Sequence, residues 1–172
     1  MVGLRKGICY RDIKRSYTRK SKYKQKGYIK SIPPHKIVRF QMGDIKENYD
    51  YVVSLVSKAN IQIRQNGIES ARQIVNRNLQ SKIPGNYYYT INMYPHHILR
   101  ENKMLGGAHA DRLQKGMGHP FGKPINVAAK IAKGQKIMRV WAYKAGVDHA
   151  RSSLKKAITR LAGSYNISIE AA

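Results

Sequence analysis

Residues 51–98 read YVVSLVSKANIQIRQNGIESARQIVNRNLQSKIPGNYYYTINMYPHHI, and the change of period inside this stretch decides the fold. It opens with β-branched and aromatic residues in a strand-like run, Tyr51–Lys58. Ile68, Ala71, Val75 and Leu79 then keep one apolar stripe, which predicts a helix over about Gly67–Ser81. Asn66 and Glu69 stand three apart at its start, in the spacing of a capping box. Arg72 and Arg77 fall off the stripe, towards solvent or a partner. Pro84-Gly85 stops the helix. Asn86–Ile98 reads as one long strand, whose adjacent His96 and His97 would point to opposite faces and so would not share a metal ion.

Working outward, Lys36–Gln41 reads as a strand before this stretch, and Ile125–Ile131 and Lys136–Tyr143 as two after it, with Lys133-Gly134 turning between them. A second helix is predicted from about Val147 to Leu161. Val147, Ala150, Leu154, Ala157, Ile158 and Leu161 hold its apolar spacing. Asp148 suits its N-terminal dipole, and Gly163 its C-cap. Ser164–Glu170 is a last short strand. The order of strands, helix and strand thus occurs twice, without a residue-level repeat. A chain of 172 residues accommodates one domain rather than two. The expected class is α+β: a sheet, largely antiparallel or mixed, with two helices packed on one face. To this core of residues 36–172 are added a basic N-terminal extension (residues 1–35) and a long glycine-rich basic loop at about 102–123.

Charge narrows the partners. Lysine and arginine number 33 against 9 acids, a net +24, and self-repulsion on that scale disfavours a compact state unless a polyanion is near. Nucleic acid is the first candidate. An anionic membrane is a poor second, because no apolar run approaches the roughly 20 residues of a spanning helix and the start, MVGLRKGICYRD, lacks a signal-peptide apolar region. Cys9 is the one cysteine, which excludes an internal disulfide or a multi-cysteine zinc site and fits a reducing cytoplasm. Residues 1–35 alone hold eleven cations and one acid. There Tyr10, Tyr17, Tyr23 and Tyr28 alternate with cations, a pattern that suits RNA because bases stack on rings while ammonium and guanidinium groups meet phosphate. Such a segment cannot bury a core alone and is expected to order on a partner.

The loop NKMLGGAHADRLQKGMGHPFGKP (102–124) joins five glycines to four cations and one acid. Glycine lets backbone approach a surface closely, and the cations seek phosphate. Two nucleotide-binding patterns fail there. Gly116-Met117-Gly118 meets Phe121 where the dinucleotide fingerprint needs glycine, and Gly122-Lys123 is followed by Pro124 rather than Ser or Thr. Asp44, Glu47 and Asp50 are the clustered carboxylates and, with Gly43 and Asn48, read as a turn. No nucleophile is recognisably paired with a base. No catalytic residue, metal ligand or cofactor is expected, and the chain does not read as an enzyme. Arg151, Lys155, Lys156 and Arg160 add a charged stripe to the second helix. No RRM, KH or zinc-finger signature appears, which leaves shape and phosphate recognition of folded RNA.

YPHHILRENKM (94–104), ADRLQKGM (110–117) and FGKP (121–124) resemble the large-subunit ribosomal protein family called L10e in archaea and eukaryotes and L16 in bacteria. Cys9-Tyr10-Arg11, YTRK (17–20) and QIRQNGIESAR (62–72) match its archaeal style in the same order, so the likeness spans nearly the whole chain. The resemblance implies an archaeal-type structural protein of cytoplasmic ribosomes. Its implied partners are large-subunit rRNA, tRNA at the aminoacyl site and neighbouring ribosomal proteins, with no membrane. Arg5, Lys6, Tyr10, Arg11, Lys14, Arg15, Tyr17, Arg19, Lys20, Lys24, Arg64, Arg72 and Arg77 would then meet rRNA. Arg100, Lys103, His109, Arg112, Lys115 and Lys123 would line the loop towards the functional centre and the tRNA. The chain departs from the family pattern at His109, where glycine is common, at Gly118, where an arginine tends to stand, and at Pro120, where a small residue does. The alternative reading is a free-standing RNA-binding or RNA-chaperone protein.

Overall fold

The computed structural model describes residues 5–13, 23, 29, 31–46, 48–103, 112 and 116–172, and among these the two periods of the sequence become eight strands and two long helices. Five strands form one sheet: β1 (Gln41–Gly43), β4 (Tyr87–Ile91), β7 (Lys136–Ala142), β2 (Tyr51–Ser57) and β8 (Tyr165–Ala171), side by side in that order with every neighbour antiparallel. A second, three-stranded sheet holds β3 (Ile61–Arg64), β6 (Lys123–Ile131) and β5 (His97–Glu101), also antiparallel. The helices are α1 (Gln65–Lys82) and α2 (Val147–Ile158).

Strands β2 and β4 both run against β7, which lies between them, so they are parallel to each other and α1 lies in their crossover. By the same logic β7 and β8 are parallel, split by β2, with α2 in their crossover. Two interlocked split βαβ units result, which gives topological form to the strands–helix–strand order seen twice in the sequence.

Alternation along the strands supplies the core. Val53 and Leu55 of β2, Met138 and Val140 of β7, and Tyr89 of β4 are fully buried. They share one core with Ile68, Ala71, Val75 and Leu79 of α1 and Ala150, Leu154 and Ala157 of α2. Each fully buried Val, Leu, Ile or Met among them contributes roughly 1.5–3 kcal/mol of transfer free energy, and each alanine less. Asp148 in the first turn of α2 and Lys155 and Lys156 in its last complement the helix dipole. The Lys156 ammonium also donates to Asn78 Oδ1 (2.8 Å), which ties α2 to α1.

The α+β class and the helical stripes are as read from sequence; several boundaries are not. The long strand expected over Asn86–Ile98 is two strands in different sheets. Pro95 has no N–H for a ladder, and after Ile91 the chain leaves the first sheet, entering the second at His97. His96 therefore lies before β5 rather than within a strand. The strand expected at Lys36–Gln41 starts only at Gln41, and the head of that stretch is held instead by buried Gln65. Its Oε1 accepts from Lys36 N–H (2.8 Å) and its Nε2 donates to Pro34 O (3.2 Å). Strand β3 was not foreseen. The Asn66–Glu69 capping box does not form: α1 begins at Gln65, no side chain caps it, and Glu69 binds Arg72 instead. The C-cap of α2 is Thr159, and Gly163 (φ +101°) belongs to the turn that leads into β8.

Candidate nucleic-acid interface

Residues 5–13 lie along β3, an edge strand of the three-stranded sheet. On β3, Ile61 and Ile63 turn inward to the core, which leaves Gln62 and Arg64 outward. Gln62 N–H donates to Arg11 O (2.9 Å), and its Nε2 to Tyr10 O (2.9 Å). Arg64 reaches Arg5 O (3.0 Å) and lies 5.3 Å from the centroid of the Tyr10 ring, a cation–π contact. At the end of β5, Glu101 Oε1 receives Arg5 Nε at 2.6 Å, which raises the already high guanidinium pKa. Burial, helped by the Glu101 carboxylate, pushes the Tyr10 phenol upward. Arg5, Tyr10 and Arg64, expected at rRNA, are thus gathered into one cluster. Arg5 remains more than half exposed and Arg64 partly so. Lys6 and Arg11 are exposed beside them.

Glu101 is also the floor of the glycine-rich loop. Gly122 (φ +68°) packs so closely that a Cβ there would stand 2.7 Å from the Glu101 carbonyl carbon and 2.9 Å from Asn102 N. Asn102 Nδ2 reaches Gly116 O (3.4 Å), which draws the two sides of the stem together. Around this stem Lys103, Arg112 and Lys123 are exposed, and Arg100 is half-buried on β5. Met117 and Phe121 expose most of their surface, with the Phe121 ring stacked against His119. His109 and Lys115 fall outside the described residues, as do Lys14, Arg15, Tyr17, Arg19, Lys20 and Lys24.

Along α1, Arg72 and Arg77 border an open groove of about 530 Å³ with Gln73, Asn76, Gln80 and Ser81. Arg77 is exposed, whereas Arg72 is held down by two bonds to Glu69 (2.8 and 2.6 Å) and a contact to Met42 Sδ (3.2 Å). That pairing keeps the Glu69 carboxyl below the usual carboxylate range. The acids read as a turn do structural work: Asp44 N–H donates to Tyr87 O, and Asp50 Oδ2 accepts from Lys144 N–H. Glu47 lies outside the described residues. Among the described residues no three His, Cys, Asp or Glu side chains gather to hold a metal ion, and no helix is long and apolar enough to cross a membrane.

Sequence reasoning missed the residues that position this surface. Gln65 and Asn126 are buried polar partners (Nε2 to Oδ1, 2.7 Å), and Glu101 joins the N-terminal segment to the loop stem. The available signal was local: Gln65 sits between the alternating Ile61–Ile63 pair and the first residue of the helical stripe.

Residues 13–168 match the family described as ribosomal protein L16p/L10e. The chain is 41% identical over 171 residues to "Large ribosomal subunit protein uL16" of Thermofilum pendens, covering 98% of each chain. It is 41% identical over 172 residues to the protein of that name from Sulfolobus acidocaldarius, covering 98% of this chain and 94% of the relative. The protein of the same name from Hyperthermus butylicus is 43% identical over 140 residues, 81% of this chain and 78% of the relative. On a match that runs through both sheets, both helices and the loop stem, this chain belongs to the ribosomal protein L16p/L10e family.

Proposed function

We propose that this chain binds rRNA of the large ribosomal subunit through many phosphate contacts and helps to place tRNA at the aminoacyl site. As a member of a ribosomal-protein family it is a structural, non-enzymatic component of the large subunit, and its partners are rRNA and other ribosomal proteins. The family match over residues 13–168 carries the reading. The distribution of charge supports it: nine acids cannot neutralise thirty-three cations, and the exposed loop-stem cations stand on a closed hairpin base.

In this mechanism Arg100, Lys103, Arg112, Lys115, Lys123 and His109 meet phosphates and tRNA around the loop. Lys6, Arg11 and the basic residues that follow thread between rRNA helices. Arg64, Arg72 and Arg77 face rRNA beside the core. The phosphate contacts position the protein, and the shape of the folded RNA supplies specificity. Sedimentation of large subunits through a moderate salt wash tests the assignment. Retention of the chain in the large-subunit fraction is expected; stripping into the supernatant would favour the free-standing RNA-chaperone reading.

A further inference from the structure

The connector between the two sheets presents a fixed aromatic surface that the phosphate contacts do not use. From Asn92 to His96 burial alternates: Met93 and Pro95 turn inward, and Asn92, Tyr94 and His96 turn outward. Tyr94 is 45% exposed. Three rings surround it, with His35 at 5.4 Å, Phe40 stacked at 5.5 Å and His96 at 4.5 Å between centroids. Beside it opens a groove of about 410 Å³, also lined by Asn92, Lys130 and Gln135.

This cluster is built rather than accidental. Gln65, only 2% exposed, bonds Pro34 O and Lys36 N–H, the backbone groups on either side of His35. Asn126 holds that amide from behind. Phe40 O accepts from Ile91 N–H (2.9 Å), Asn92 N–H donates to Ile137 O (2.8 Å), and His96 N–H donates to Tyr94 O (3.0 Å). Every ring therefore hangs from pinned backbone, with little ordering entropy left to lose on binding. Core packing requires Phe40; it does not require exposed Tyr94, His35 and His96.

We infer that this groove receives an unpaired RNA nucleobase, stacked on the Tyr94 ring, with the Asn92 and Gln135 amides at the base edge and Lys130 towards its phosphate. Bases have a π-face that stacks on aromatic rings without regard to sequence. The Asn92 and Gln135 amide oxygens already accept from Thr90 Oγ1 and Ala132 N–H (3.0 Å each), so it is their NH2 groups that donate to a base edge. The strongly cationic chain supplies the long-range attraction for a polyanion that a protein partner would lack. The inference rests on the RNA-binding reading above and names one site within it.

The test compares the full-length protein with its Tyr94→Leu and Tyr94→Phe variants, binding a single-stranded RNA and a duplex RNA with the same number of phosphates. Tyr94→Leu is expected to weaken single-strand binding about tenfold, the scale of one lost base–aromatic stack, while duplex binding stays unchanged. Tyr94→Phe is expected to keep both. Equal losses on both RNAs, or no loss on either, would overturn the site. So would a mononucleotide that binds the wild type as tightly as the oligomer does, since that describes a small-ligand pocket. Photocrosslinking from position 94 in assembled large subunits gives an independent arm: a crosslink to an RNA nucleotide supports the site, and one to protein alone overturns it. If the wild-type protein binds neither RNA, the general RNA-binding reading fails; if duplex affinity is intact and Tyr94→Leu changes nothing, only this site fails.

Discussion

Gly122 and Gly116 both have positive φ, yet their surroundings differ, and the difference is measurable. At Gly116 nothing lies within 4 Å of a Cβ, so Gly116→Ala meets only the left-handed backbone penalty, about 1 kcal/mol. At Gly122 the same methyl would enter the backbone of Glu101 and Asn102, which cannot retreat without opening the hairpin stem. Gly122→Ala should cost more, on the order of 1–3 kcal/mol, with the two variants ranked by urea denaturation. Equal costs would mean that the stem is not packed as described. The Glu69–Arg72 pair makes a pH prediction. Arg72 holds the folded-state pKa of Glu69 below its unfolded value, so the pair's stabilisation is present above the ordinary carboxylate range. It is lost as pH falls through the depressed folded value. Glu69→Gln should therefore cost about 1 kcal/mol at neutral pH and progressively less on acidification, with the two stability curves converging at low pH.

The elements were legible where one period ran uninterrupted. The stripes Ile68–Ala71–Val75–Leu79 and Ala150–Leu154–Ala157 predict helices, and both are buried against the first sheet. Leu154→Ala should accordingly cost roughly 2–5 kcal/mol in thermal or urea unfolding, the range for a cavity in a packed core. Legibility failed where long-range bonds override local pattern. Asn86–Ile98 read as one strand despite Pro95 within it, and its local pattern did not show that the two halves join different sheets. Four residues, Ile61–Arg64, run straight into α1 without a turn, so β3 carried no boundary signal. The capping box failed because Arg72, one turn on, binds Glu69 more directly. The N-terminal segment is expected to order on a partner; of its described residues, 5–13 lie along β3. Deleting residues 1–13 should thus speed amide exchange at Gln62, whose N–H donates to Arg11 O. Exchange at Ile63 and at the other core-strand amides should remain slow. Unchanged exchange at Gln62 would mean that the segment does not dock in solution.

For the molecule as a whole, charge and motif order carried the functional reading further than they carried the site. Ordered family motifs across nearly the full chain made the ribosomal family readable from sequence, and the match over residues 13–168 bears this out. The phosphate-facing side chains were less readable, because a cation's sequence position does not reveal whether a neighbouring carboxylate or ring has claimed it. Arg5, Arg64 and Arg72 each have such a claim, to Glu101, Tyr10 and Glu69. Lys103, Arg112 and Lys123 stand exposed. The central claim is that this scaffold holds many cations against rRNA at once, and the salt dependence of its binding to a cognate large-subunit rRNA fragment tests that most directly. Neutralising about ten phosphates predicts a log–log slope of roughly −7 to −9; a slope shallower than about −3 would contradict the account.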